Sequence, residues 1–233
     1  MADSALSQER IEILHRSAHD LRNRLSGLHQ ALKHVAGDNE EHRELLEFGE
    51  QQFFKAMRNI EDLMDRMGVD RTPQGLAIEK VPFVEVVKEV IENLRHRFEG
   101  KDQEVRSQFP AKDVLVAGDR HFIEEAVTAL LSNASKFSPK GSPIEVELRS
   151  AEDHAELCVI DRGAGLSAED LDRIFERYAW LGSRSSDGEP QGRSNLSRAF
   201  QWVKAMGGQL SATSEGEGKG CSFSMKLPLA DRK

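Results

Sequence analysis

Apolar positions recur three and four residues apart along the first part of the chain and then change rhythm. Ile11, Leu14, Ala18, Leu21, Leu25, Leu28, Leu32 and Val35 fall on one stripe, which predicts an amphipathic helix over about residues 4–36. Gly37-Asp38-Asn39 then supplies a breaker followed by capping residues. Leu45, Phe53, Ala56, Met57, Ile60, Leu63, Met64 and Met67 repeat the spacing and predict a second helix over about 40–67. Two long helices joined by a short turn form an antiparallel hairpin. One neighbour cannot cover the apolar arc of each helix. A homodimer that closes a four-helix bundle is the simplest solution, and packing against the downstream part of the chain is the alternative.

Residues 71–75, with Pro73 and Gly75, read as a linker. They separate a helical domain at 1–70 from a second domain at 71–233, where short elements alternate. Strands are predicted over 76–81, 105–109, 114–116, 144–149, 155–160, 209–214 and 221–227. Pro82 opens a helix through Val86, Val87, Val90, Ile91 and Leu94, and Asp119 caps another that buries Phe122, Ile123, Ala126, Val127, Leu130 and Leu131. Shorter helices are predicted over 168–175 and 196–206. Residues 181–194, rich in Gly, Ser, Pro and charge, read as a mobile loop, a nucleotide lid or a solvated loop, and 215–220 as a flexible one. The fold class is therefore an α-helical hairpin followed by an α/β sandwich with a mixed sheet.

Composition narrows the function. The chain has 233 residues, 31% of them charged and 38% hydrophobic, with a net charge of −8, which fits a soluble, cytoplasmic protein. An acidic balance without a basic face argues against nucleic acid. No apolar run is long enough to span a membrane. Cys158 and Cys221 have no ligand spacing and read as reduced core residues.

Three stretches carry chemistry. His19-Asp20 sets an imidazole beside a carboxylate at the edge of the first helix's apolar stripe, with Asn23 one turn on. On its own the pair reads more readily as solvated surface. Asn133, Lys136 and Phe137 end a helix and can offer a neutral oxygen to Mg²⁺, a positive charge to a phosphate and a flat apolar surface to a purine. Asp161-Arg162-Gly163-Ala164-Gly165 follows a strand. Its carboxylate can accept from an exocyclic amine, and Gly163 and Gly165 let backbone approach a ligand. The same pattern also makes a simple tight turn.

Taken in order, these motifs resemble the transmitter core of bacterial two-component sensor histidine kinases. Residues 19–23 resemble the phosphoacceptor box, 133–139 the asparagine box, 161–165 the first glycine box, and Ile174-Phe175-Glu176-Arg177-Tyr178 the phenylalanine box. The resemblance implies a dimerisation and histidine-phosphotransfer hairpin followed by a Bergerat-type ATP-binding domain. It implies that His19 takes the γ-phosphoryl of ATP, that Asp20 acts as base or orienting group, and that Asn23 orients a water that dephosphorylates the partner. It further implies that Asn133 holds Mg²⁺, Lys136 a phosphate, and that Phe137 and Asp161 receive adenine. The implied partners are a second copy of the chain and the receiver domain of a response regulator; no sensor segment is legible, so the input comes either from another part of a larger sensor or from a separate sensor protein.

Four positions depart from that pattern. Arg24 replaces the proline of the phosphoacceptor box, Ala129 the first asparagine, and Arg193 and Asn195 two glycines of the second glycine box. Those glycines normally let backbone wrap phosphates. Arg193 has the charge to contact a phosphate itself. The expected function is an ATP-dependent protein histidine kinase, with phosphatase activity. The alternatives are a dimeric histidine phosphotransferase and a degenerate regulatory kinase that does not use ATP.

Overall fold

The computed structural model describes residues 76–176 and 194–230, together with Gly49 and Ala56, both helical. Contacts along the chain divide it into two units: Met1–Arg71 with Arg177–Trp180, and Thr72–Glu176 with Leu181–Lys233. The hairpin's other residues lie outside the described ones, and so do His19, Asp20, Asn23, Arg24 and Arg193. The described elements belong to the second unit.

Their chain order is β1 (Glu79–Pro82), α1 (Phe83–Asn93), α2 (Arg95–Gly100), β2 (Val105–Gln108), β3 (Leu115–Gly118), α3 (Arg120–Phe137), β4 (Ile144–Ser150), β5 (His154–Ile160), α4 (Ala168–Arg173), α5 (Ser194–Ala205), β6 (Gln209–Thr213) and β7 (Ser222–Pro228). The main sheet runs β2-β4-β5-β7-β6. Among these strands β2 and β4 pair in parallel, and the remaining pairs are antiparallel. β1 and β3 form a separate antiparallel ribbon.

Alternation fixes which face of the sheet is covered. Ile144, Val146 and Leu148 on β4, Ala155, Leu157 and Val159 on β5, and Phe223, Met225 and Leu227 on β7 are all buried, so one face is sealed. α1, α3 and α5 supply the other half of the same core through Phe83, Val86 and Val87, through Ile123, Val127, Leu130 and Leu131, and through Leu196, Ala199 and Val203. The opposite face carries polar pairs such as Ser224 donating to Glu156 and Lys226 standing 3.7 Å from it. The layers are the mixed-sheet α/β sandwich that the pattern predicts.

Several boundaries differ from the prediction for local reasons. β1 begins at Glu79, because Leu76 to Ile78 have no ladder partner on β3. The helix expected over 168–175 ends at Arg173, and the last one begins earlier, at Ser194. α2 is an unpredicted element, with one buried side chain, Phe98, in six residues. Pro82 precedes α1 but has no side chain to cap it. The orphan amides of Val84 and Glu85 instead donate to Asp113, at 2.9 and 3.2 Å. Cys158 and Cys221 are free thiols as expected but half-buried, not core residues. Cys158 points away from the sealed face of the sheet, and Cys221 lies just before β7.

Candidate nucleotide site

The site starts with α3. Asp119 caps it through a 3.1 Å bond from the His121 amide, so its eighteen residues run unbroken to Phe137. Asn133, Lys136 and Phe137 are spaced i, i+3, i+4 and share a face at its carboxy-terminal end. Asn133 and Phe137 are half-buried, whereas Lys136 is buried with its amine 5.5 Å from the centre of the Phe137 ring.

The glycine-rich turn after β5 meets that end of the helix. A Cβ on Gly163 would fall 2.7 Å from the Phe137 carbonyl oxygen, an approach closed to any other residue. This contact joins two motifs twenty-six positions apart. Asp161, 4% exposed, is held from its own turn and from the residue before β7. Its Oδ1 accepts from the amides of Gly163 at 2.8 Å and Cys221 at 3.2 Å. Among the described residues no donor reaches Oδ2, which leaves an acceptor for an incoming amine. Burial pushes the carboxyl up to about 6 against those two amides, which pull it down. Burial and the neighbouring Asp161 in turn push the Cys221 thiol up to about 12.

Residues 215–220, expected to be a flexible connector, are tied instead. The Ser214 hydroxyl donates towards the carbonyls of Gly220 at 2.7 Å and Gly216 at 3.2 Å and accepts from the amides of Leu166 and Gly216. Gly218 donates to Ala164 at 2.6 Å and Gly220 to Gly163 at 3.1 Å. Gly165, at φ +66°, lies against the Gly216 carbonyl. The composition of the loop signals freedom, and a single hydroxyl removes it.

A family described as "Histidine kinase-, DNA gyrase B-, and HSP90-like ATPase" matches residues 118–231, the stretch from the end of β3 through β7. Residues 118–231 are thus similar to that ATPase family. The chain is also 30% identical over 224 residues to the sensor protein KdpD of Clostridium acetobutylicum, covering 94% of this chain and 25% of that one. It is 24% identical over 237 residues to the sensor histidine kinase WalK of Bacillus subtilis, covering 98% and 38%. The chain thus spans a quarter to about a third of the length of these relatives. Among solved structures, the mycobacterial sensor histidine kinase MprB superposes with a TM-score of 0.58 at 27% identity, covering 67% of this chain and all of that one. Full-length ShkA in complex with AMPPNP, at 20% identity and a TM-score of 0.63, covers 95% and 46% and shares the fold.

Within the matched stretch, the end of α3, which carries Asn133, Lys136 and Phe137, meets the turn of Asp161, Gly163 and Gly165 where Gly163 lies against the Phe137 carbonyl. It also shows supports that no sequence motif signals. Lys101 and Gln103, 8% and 6% exposed, reach the end of α3 from the turn after α2. Lys101 Nζ donates to the carbonyls of Ser135 at 2.9 Å and Ser138 at 3.2 Å. Gln103 Nε2 donates to the same two carbonyls and to that of Pro139, while its Oε1 accepts from the Ser135 hydroxyl at 2.7 Å. Together they satisfy carbonyls that a helix end leaves orphaned and add a cation at its negative pole. Replacing Lys101 with methionine keeps the stem and removes the charge. The expected loss is about 2 kcal/mol, since charge-assisted bonds contribute on the order of 1.5–3 kcal/mol and Gln103 still covers part of the same end. Urea denaturation of Lys101→Met against the unchanged chain measures it.

A further recess lies between α3 and α5. Glu125, Thr128, Ala129 and Ser132 of α3 face Asn195, Arg198 and Trp202 of α5 across it. Ala129 and Asn195 are two of the positions where the chain departs from the histidine kinase pattern, and both line this one place. Among the described residues no group of three or more His, Cys, Asp or Glu side chains could hold a metal ion, and no helix is long and apolar enough to cross a membrane.

Proposed function

We propose that the chain is an ATP-dependent protein histidine kinase that autophosphorylates on His19 and passes the phosphoryl group to an aspartate of a response regulator. The observation that carries this reading is Asp161: a buried carboxylate with one oxygen fixed by two amides and the other open, at the edge of an ATPase domain. An adenine amine would donate to Oδ2, with Phe137 beside the ring and Gly163 and Gly165 allowing close approach. Asn133 would offer its amide oxygen to Mg²⁺ and Lys136 its charge to a phosphate. A single neutral oxygen fits a metal that arrives mainly on phosphates rather than in a protein cage. The metal would supply charge neutralisation at the transferring group.

In this reading residues 1–70 form a dimeric helical hairpin that presents His19. The lone pair of one imidazole nitrogen would attack the γ-phosphorus, an N–P bond forming as the bond to the ADP oxygen breaks, and the proton on the other ring nitrogen would pass to Asp20 or to water. Asp20 fixes which nitrogen attacks, since an unperturbed imidazole is largely neutral at pH 7. Asn23 would orient a water for dephosphorylation of the receiver domain, which gives the phosphatase activity.

Arg193 and Asn195, in place of glycines, favour a second reading: a histidine phosphotransferase that receives phosphate from a receiver domain and does not use ATP. Incubating the purified chain with γ-labelled ATP and Mg²⁺ separates the two. The kinase reading expects acid-labile label that disappears in His19→Ala. A folded chain that stays unlabelled by ATP, yet is labelled on His19 by a phosphorylated receiver domain, overturns the kinase in favour of the relay.

A further inference from the structure

We infer that Arg198 is a phosphate-binding residue, a side chain that does part of what a glycine-rich backbone loop would otherwise do. The inference rests on the nucleotide reading above and deepens it. Among the described residues lining the recess between α3 and α5, Arg198 is the cationic one. Its guanidinium is held in place twice: Nη2 donates to Asn195 Oδ1 at 2.6 Å, and the group lies over the Trp202 ring, 5.6 Å from its centre. Asn195, Arg198 and Trp202 are spaced i, i+3, i+7, so one face of α5 carries the whole arrangement. An arginine pre-oriented in this way loses less side-chain freedom on meeting a phosphate, which its planar fork can bind through two parallel bonds.

The facing wall fits the same ligand. Ala129, 5% exposed, keeps the wall shallow where a larger residue would fill it. Ser132 and Thr128 offer hydroxyl donors, and the exposed Glu125 offers a carboxylate. A bare anion would meet repulsion from Glu125, whereas a phosphate carrying a divalent cation suits both Glu125 and Arg198. The position along α3 is also right. Ala129 stands one turn before Asn133 and about 12 Å of helix axis before Phe137, a span that a nucleotide covers from its base to its terminal phosphates. Adenine at Asp161 and phosphates at Arg198 would therefore lie along one helix.

The test compares Mg²⁺–ATP with adenosine by calorimetry on the full chain, on Arg198→Met and on Arg198→Lys. Methionine keeps an apolar stem against Trp202 and removes the charge. The expected result is an ATP affinity about tenfold weaker in Arg198→Met, intermediate in Arg198→Lys, and an adenosine affinity unchanged in both, which shows that the fold and the base site are intact. Equal ATP affinity in Arg198→Met overturns the inference and leaves the nucleotide reading standing. An unsubstituted chain that binds adenosine as tightly as ATP does the same. Absence of any nucleotide binding overturns both.

Discussion

Adenine nucleotide affinity should fall about tenfold when the pH is lowered from 7 to 5. In the proposed site the bond from the base would need the Asp161 carboxylate as acceptor, and burial raises that group to about 6, so roughly a tenth of it is ionised at pH 5. Acid acts oppositely on the fold, as far as this group is concerned. Between the ordinary carboxyl value of 3.8 and about 6 the folded chain holds a proton that the unfolded chain has released. The contribution of Asp161 to stability is therefore present at low pH and lost as the pH rises through about 6. Weaker binding at pH 5 thus cannot be assigned to unfolding around this carboxyl. In Asp161→Asn the side chain keeps its shape but turns an amide donor towards the base amine. The expected loss at pH 7 is about a hundredfold, through two donors left facing each other in a buried place, and the pH dependence should disappear. Fluorescent nucleotide titrations from pH 7.5 to 5 measure both. A profile in Asp161→Asn as steep as that of the unchanged chain would remove Asp161 from the binding equilibrium.

The second large effect is structural. Gly220→Ala should destabilise the domain by about 3–5 kcal/mol, at the upper end of single substitutions. Its φ of +73° is strained for alanine, which adds about 1–2 kcal/mol, and the new methyl would stand 2.0 Å from the Asp161 carbonyl oxygen. That oxygen is backbone, fixed by the ladder of β5 against β7, in which Ile160 faces Ser222. It cannot yield as a side-chain tip would. Thermal melting should shift down by roughly 10 °C for a domain of this size. A melting point within about 2 °C of the unchanged protein would show that the loop accommodates a side chain. Phe175→Ala makes a useful contrast: its ring stacks on Phe200 at 5.0 Å but is only half-buried, so its loss should be smaller.

The reach of each interaction decides whether it is legible in the sequence. Asp119 and Ser167 cap helices two or three residues away, and such short-range chemistry is visible in a string of letters. The strand alternation on β4, β5 and β7 is likewise local. Lys101 and Gln103 act on carbonyls more than thirty positions later. Nothing in the polar turn around them distinguishes a buried clamp from solvated surface. Asp113 capping α1 from the residues that lead into β3, twenty-nine positions beyond Val84, is hidden for the same reason. α2 escapes notice because one buried Phe98 among charged neighbours sets no period. Arg198 sits on the polar side of a helix, where a charge is expected to meet water, and only the facing wall of α3 gives it another role. The glycines of 215–220 signal looseness because composition does not record what Ser214 bonds to.

Asp161 is aimed by main-chain amides, and that separates its geometry from side-chain identity at the position opposite. The Cys221 contribution is an amide hydrogen, which every residue but proline would bring to the same place. Position 221 can therefore change in chemistry, within the space that its packing against the core leaves, while the carboxylate keeps its direction. A lineage can in this way retune the immediate surroundings of this carboxylate, and the reactivity of position 221 towards thiol-seeking compounds, without moving the carboxylate.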